Sequence, residues 1–198
     1  MSENKKTLSV TIEVSEVIFD VMNKAYLTGQ AREAQNANAY EAASNMQASD
    51  DDDNSYQLRR SLANAFSALK SLLGEYLDES VTTSNNILNK EIDEDGKLVL
   101  GFRLPSNYNS ASADSLGNGI HSYLVDMILG EWFTITNKDD AKDYMAHTAI
   151  SLEVVKRALY KRSRPVRPQH NDIPEGEITE IKPPLDCEPQ KSPSDDMS

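Results

Sequence analysis

Cysteine is almost absent from this 198-residue chain, which contains only Cys187. No intrachain disulfide can therefore form, and the Cys/His patterns of structural zinc sites are excluded. This usage fits a reducing cytoplasm, or a particle assembled in one. Long apolar runs are also missing, since no stretch approaches the roughly 18–20 residues that span a bilayer and the first residues lack the apolar core of a secretory signal. We expect no membrane contact.

Positive charge is scarce outside one segment. The net charge is −12, which argues against general affinity for nucleic acid, because phosphate binding needs a local excess of Lys and Arg. The exception is a basic cluster without any acid: Lys156, Arg157, Lys161, Arg162, Arg164 and Arg167. It has three interpretations: favourable charges at the negative end of a helix, a phosphate-binding edge, or a docking patch for an acidic partner.

Motifs that carry chemistry are missing too. The chain has no glycine-rich phosphate loop and no nucleophile in a glycine-flanked elbow. Three patterns resemble metal sites: the acidic run 50–53, a calcium-like loop from Glu91 that has Phe102 where a bidentate Glu is needed, and a two-histidine site that would need the last two helices to pack antiparallel. The last would combine His121 and His147 with Asp126 and Asp143, and the third histidine is His170. A solvated loop, a hairpin and separate hydrogen-bonding histidines explain the same residues, so we predict no catalytic residue, no metal and no cofactor.

The prolines divide the chain. Seven of the eight follow Ser163, which predicts a folded body at 1–164 and a proline-rich, acidic, extended arm at 165–198 that cannot fold independently. Within the arm, Ile178 and Ile181 could add a short strand to a neighbouring subunit. The alternative is a plain disordered terminus.

The apolar spacing of the body predicts a strand, two helices, a hairpin and two more helices. Alternation predicts strands at 7–14 and 98–104, the second following a hairpin turn at Asp95-Gly96. Three- and four-residue spacing predicts helices at 15–34, 54–78 and 112–134, and a last helix that a capping box of Thr136 and Asp139 begins. Its inner stripe is Ala141, Met145, Thr148, Leu152, Val155 and Leu159.

We therefore expect a helix-dominated α+β fold: a four-helix bundle with a small antiparallel sheet, made by the N-terminal strand and the hairpin, and an extended C-terminal arm. Trp132 and Phe133, near a helix end, are expected to be core residues or anchors at a subunit interface.

Three stretches, 39–77, 103–145 and 154–168, which begin AYEAAS, RLPSNY and VVKRAL, resemble a family of small virion-associated proteins of tailed phages, especially crAss-like phages. The resemblance covers roughly residues 7–167. It implies a non-enzymatic structural protein of the head-to-tail connector, or neck, present in the virion and, during assembly, in the host cytoplasm. Its partners would be further copies of the chain and the portal or other connector proteins, gripped by the arm.

On this interpretation the partner-binding residues are Ile178, Ile181, Lys161, Arg162, Arg164, Arg167 and Trp132. Acidic walls would let DNA slide through a ring without adhering, and contact with packaged DNA stays open. The alternatives are another virion part, such as a tail-end or stopper subunit, and a small intracellular binding protein or regulator whose basic cluster contacts nucleic acid. A metal-dependent enzyme is a third.

Overall fold

The computed structural model describes residues 5–35, 47–48, 52–84, 92 and 96–165. Along the chain, its strands and helices are β1 (Lys6–Glu13), α1 (Val14–Gln35), α2 (Asp52–Leu72), β2 (Lys97–Leu104), α3 (Ala113–Thr136) and α4 (Lys138–Leu159). The chain divides into two units, Met1–Ser163 and Arg164–Ser198, and all of these elements belong to the first. The predicted class, a helix-dominated α+β fold with a small antiparallel sheet, is confirmed. No helix within the described ranges is long and apolar enough to cross a bilayer.

The sheet pairs β1 with β2 antiparallel, from Lys6 opposite Leu104 to Glu13 opposite Lys97. The apolar residues of β2 share one buried face, as their alternation predicts: Leu98, Leu100, Phe102 and Leu104. The hairpin predicted at Asp95-Gly96 lies largely outside the described residues, because 93–95 and most of the strand before them are not included.

Helix α3 is the centre of the body. It packs against α1, α2, α4 and β1, and its buried side chains include Leu116, Ile120, Leu124, Ile128 and Phe133. Helix α2 contributes the stripe that its spacing predicts, with Leu58, Leu62, Phe66 and Leu69 all within the core. Helix α4 packs chiefly on α3, so it lies at the outside of the bundle.

Helix α2 is shorter than predicted. It ends at Leu72 and is followed by a 3₁₀ turn at Gly74–Tyr76, whereas the apolar spacing predicts a helix to residue 78. The cause is a long-range contact: the Asp78 N–H donates to the Gly101 carbonyl at 2.8 Å, and the Asp78 carboxylate accepts two bonds of 2.8 Å from Arg103. The chain leaves the helix because these groups draw it alongside β2.

The start of α4 also differs from the prediction. Asn137 has an extended backbone, and its side chain accepts a hydrogen bond from the Asp139 N–H at 3.1 Å. Asn137 is therefore the N-cap of α4, and the predicted capping box of Thr136 and Asp139 is wrong. The Thr136 hydroxyl instead donates to the Trp132 carbonyl at 3.2 Å. Because Asn137 is the residue that leaves helical geometry, its own oxygen is the one positioned to cap the new helix.

Candidate interaction surface

Gly119 lets α4 lie directly on α3. A Cβ atom there would be 3.0 Å from Cγ2 of Val155, whereas one at Gly130 would be 3.4 Å from Cγ of Met145, an ordinary contact. By helix propensity alone, a glycine at position 119 weakens the helix. The structure adds a packing reason for it, since a larger residue would force the two helices apart.

Polar contacts fix the N-terminal end of α4. The Asp140 carboxylate is 5% exposed and accepts bonds from Arg32 of α1 and, at 2.7 Å, from the Asn137 amide. The hydrogen bond and charge of Asp140 raise the pKa of Arg32. Beside this pair, Tyr144 stacks on Phe133 with ring centroids 5.2 Å apart. The end of α4 is thus bound to both α1 and α3.

The middle of α4 is held by Asp126 of α3, which is buried. Its carboxylate accepts a bond from the Ser151 hydroxyl at 2.8 Å and lies 3.6 Å from the Lys24 ammonium. The structure therefore gives Asp126 a role in joining three helices, not one beside two histidines. His121 bonds to Asp20 of α1 at 2.8 Å, and His147 is exposed on α4.

Within the residues that the structure describes, no three His, Cys, Asp or Glu side chains are grouped so that they could hold a metal ion. Residues 50 and 51 of the acidic run, most of the calcium-like loop and His170 lie outside the described ranges.

The opposite face of α4 is exposed, except at the flank beside α3, where Val154 lies close to Gly119. Seven exposed residues, which we call the outer stripe, lie on that face or directly after it: Asp139, Asp143, Ala146, Ile150, Val154, Arg157 and Lys161. Ile150 is 59% exposed and Val154 is 42% exposed. Successive members are three or four positions apart, so the six within α4 share one side of a helix with 3.6 residues per turn, and Lys161 follows the C-terminal end of that helix. The stripe has acids at its start, aliphatic groups in its middle and cations at its end.

A groove runs beside the outer stripe, between α4 and α3. It is lined by Ile150, Ser151 and Val154 on one side, and on the other by Ser115, Asn118, Gly119 and Ser122. Its volume is about 320 Å³. Because the residues of α3 that line the groove have short side chains, a side chain of another molecule can contact both Ile150 and Val154.

The predicted inner stripe of α4 is correct at Ala141, Val155 and Leu159, which are buried. Met145 departs from it, because it is 52% exposed and lies over Gly130 at the edge of the contact.

The basic cluster begins in the last turn of α4. Arg162 donates to the Leu159 carbonyl at 2.7 Å, which fits the first interpretation of the cluster, a cation at the negative helix end. Arg157 bonds to Glu153 at 2.5 Å, while Lys161 and Arg164 are exposed. The chain after α4 is held by backbone bonds, including one of 2.8 Å from the Ser163 N–H to the Asn107 carbonyl.

The remaining predicted partner-binding residues lie either in the core or outside the described residues. Trp132 is 9% exposed and packs within the core. Arg167, Ile178 and Ile181 lie outside the described residues.

A second apolar surface lies on α1. Phe19 is 64% exposed and Leu27 is 53% exposed, and Phe19 and Tyr26 line a groove that also includes Ser55 of α2. Sequence reasoning identifies neither this surface nor the outer stripe. The available signal was a second set of residues in α4 at helical spacing, on the face opposite the inner stripe.

Comparison with protein-family profiles, with curated proteins and with solved structures finds no match to this chain.

Proposed function

We propose that this protein is a non-enzymatic structural subunit that forms or joins an oligomeric ring at the head–tail connector of a tailed phage. The observation that carries the assembly role is the exposed aliphatic centre of the outer stripe, Ile150 and Val154, on a helix whose other face is already packed on α3. The phage setting is supported by the sequence resemblance described above.

The size of the surface favours assembly from many weak contacts. Complete burial of an aliphatic side chain of this size contributes roughly 1.5–3 kcal/mol, and Ile150 and Val154 are already about half covered. Association costs at least about 4 kcal/mol in lost translation and rotation. The aliphatic centre alone is therefore insufficient and needs the charged residues around it, and a closed ring, which engages each subunit at two contacts, gains further stability from their combination.

Two apolar surfaces on different helices suit this arrangement. A ring needs two different patches on each subunit, one for each neighbour. The outer stripe of α4 and the exposed Phe19 and Leu27 of α1 are the candidates within the described chain. In this proposal the arm at 165–198 adds a further grip on a neighbouring subunit, and the portal or another connector protein is the partner at the ring's end.

A second candidate function is nucleic-acid binding by a small intracellular regulator. The observation that favours it is the exposure of Lys156 and Lys161 at the end of α4 and directly after it. Against it, two other cations of the cluster have protein partners, since Arg157 bonds to Glu153 and Arg162 bonds to the end of its own helix. Phosphate binding would show a steep loss of affinity with added salt.

The test is the mass of the purified protein, alone and mixed with the portal-side neighbour, by light scattering and electron microscopy. The proposal expects a closed oligomer under at least one of these conditions. A monomer under both conditions would contradict the ring, and salt-sensitive binding of a DNA duplex by that monomer would favour the second candidate.

A further inference from the structure

We propose that the outer stripe pairs two copies of this chain through antiparallel α4 helices related by a two-fold axis at Ile150. The inference deepens the proposed function, because it rests on the same self-association and names the partner of one surface as a second copy. It is carried by the order of the residues along the stripe.

The spacing of the stripe is the same in both directions from Ile150. Ala146 and Val154 each lie four positions from Ile150, one before it and one after it. In the same way, Asp143 and Arg157 lie seven positions away, and Asp139 and Lys161 lie eleven positions away. A two-fold axis through Ile150 therefore places each residue opposite the one that lies equally far from Ile150 on the second copy. Every member of the stripe then faces another member.

The chemistry of the facing residues is complementary. Asp143 faces Arg157 of the second copy, about 10 Å from the axis on each side, since seven residues rise about 10 Å along a helix. Near each end of the pair, Asp139 of one copy lies towards the segment that follows α4 of the other, which carries Lys161. The small Ala146 faces the larger Val154, and Ile150 meets its own copy at the centre, where aliphatic contact excludes water.

A parallel pairing lacks this agreement. It would place Asp143 against Asp143 and Arg157 against Arg157, and like charges in direct opposition oppose association. The charge order of α4 therefore selects the antiparallel arrangement over the parallel one.

Existing bonds on the stripe do not prevent the pairing. Arg157 already bonds to Glu153 and Asp139 lies 3.3 Å from Lys142, but these are exposed pairs within one helix, which stabilise little. The side chains of Arg157 and Asp139 are 76% and 86% exposed. A guanidinium has five donors, so Arg157 can keep Glu153 and also bind a carboxylate from the second copy.

The pairing is closed, because the same patch serves both copies. It therefore produces dimers and no larger assembly. A ring built from such dimers needs a second, different contact surface on each subunit. The exposed Phe19 and Leu27 of α1 are suited to that contact.

The decisive experiment exchanges the charges. In Asp143→Arg, the introduced guanidinium of each copy lies opposite Arg157 of the other, and in Arg157→Asp the introduced carboxylate of each copy lies opposite Asp143. Each variant alone therefore has two repulsive contacts per pair, and we expect its dimer dissociation constant to rise at least about tenfold, measured by sedimentation equilibrium. Mixed in equal amounts, the two variants form attractive contacts at both positions.

We expect native mass spectrometry of that mixture to show heterodimers well above the statistical share, with an affinity within about threefold of the unaltered protein. Circular dichroism checks that both variants stay folded. If either variant is unfolded, Ile150→Glu replaces it and should remove the dimer. Its control is Ile135→Glu, at a 73%-exposed residue of α3 that is not a member of the stripe, and this variant should keep the dimer.

The outcomes separate this inference from the proposed function. Oligomers that show no heterodimer preference in the mixture, or that persist in Ile150→Glu, would overturn the antiparallel pairing and leave an assembly role standing. An unaltered protein that is monomeric at every concentration and with the portal-side neighbour would overturn both.

Discussion

Two glycines in α3, two positions apart, should respond oppositely to the same substitution. Gly117 and Gly119 both have φ outside the left-handed region, so alanine is permitted at each by the backbone. Alanine is favoured over glycine in a helix interior by about 1 kcal/mol. The substitutions Gly117→Ala and Gly119→Ala therefore gain the same propensity term, and their difference measures packing alone.

At Gly117 a new Cβ atom would lie 3.9 Å from Cγ1 of Val10, an ordinary contact. We expect Gly117→Ala to stabilise the protein by about 0.5–1 kcal/mol. At Gly119 the new atom would lie 3.0 Å from Cγ2 of Val155 and 3.4 Å from the Val155 backbone nitrogen. Val155 is fully buried and β-branched, so its rotamer is stiff, and a small shift between the two helices has to relieve the contact.

Overpacking of this kind costs about 1–3 kcal/mol, which exceeds the gain in helix propensity. We expect Gly119→Ala to be neutral or destabilising by up to about 2 kcal/mol, so the two variants should differ by at least about 1 kcal/mol. Urea unfolding followed by circular dichroism measures both. A Gly119→Ala variant as stable as Gly117→Ala would show that α4 is not held against α3 at this point.

Three further predictions concern the core, acid stability and the arm. The Tyr108 hydroxyl is buried without a hydrogen-bond partner in the described chain, and burial raises its pKa; Tyr108→Phe should therefore keep the stability or raise it by about 1 kcal/mol, and a clear loss in urea unfolding would reveal a missing partner. The Arg103 guanidinium, with a smaller contribution from Ser80, lowers the pKa of Asp78 from 3.8 to about 2, so this carboxylate stabilises the fold above about pH 4 and loses that effect as the pH falls from about 4 to about 2. Unfolding midpoints across that range should fall less steeply in Asp78→Asn, and an unchanged slope would contradict the assignment. Truncation after His170 should leave a folded body by circular dichroism, because the arm carries little apolar surface, while weakening incorporation into particles; a truncated protein that unfolds or incorporates normally would contradict this.

Periodicity was sufficient wherever a side chain had one obvious burial partner. The alternation of β2 and the stripe of α2 are buried where the sequence predicts them, because an apolar stripe on an amphipathic element has only one face to cover. The pairing of β1 with β2 followed from the need of an isolated strand for a partner.

Errors arose where a contact distant in sequence decides the local structure. Nothing near Asp78 indicates that its carboxylate will bind Arg103, 25 positions away, and that contact ends α2 early. The predicted cap of α4 was wrong by one residue, because Thr136 and Asn137 are adjacent and both residue types are suited to capping. The backbone angle that decides between them depends on how α4 turns back onto α3.

The outer stripe was missed for a reason that bears on its role. Its charged ends match a solvated helix face, the usual meaning of such residues, and Ile150 and Val154 become informative only once their exposure is known. The inner stripe is apolar where α3 covers it fully, as at Ala141, Val155 and Leu159. A surface that binds a second copy and must also remain soluble when unpaired needs aliphatic groups only at its centre and charges around them. The order acid, aliphatic, cation along α4 meets both requirements. It also fixes the direction of the partner, which uniformly apolar residues could not do.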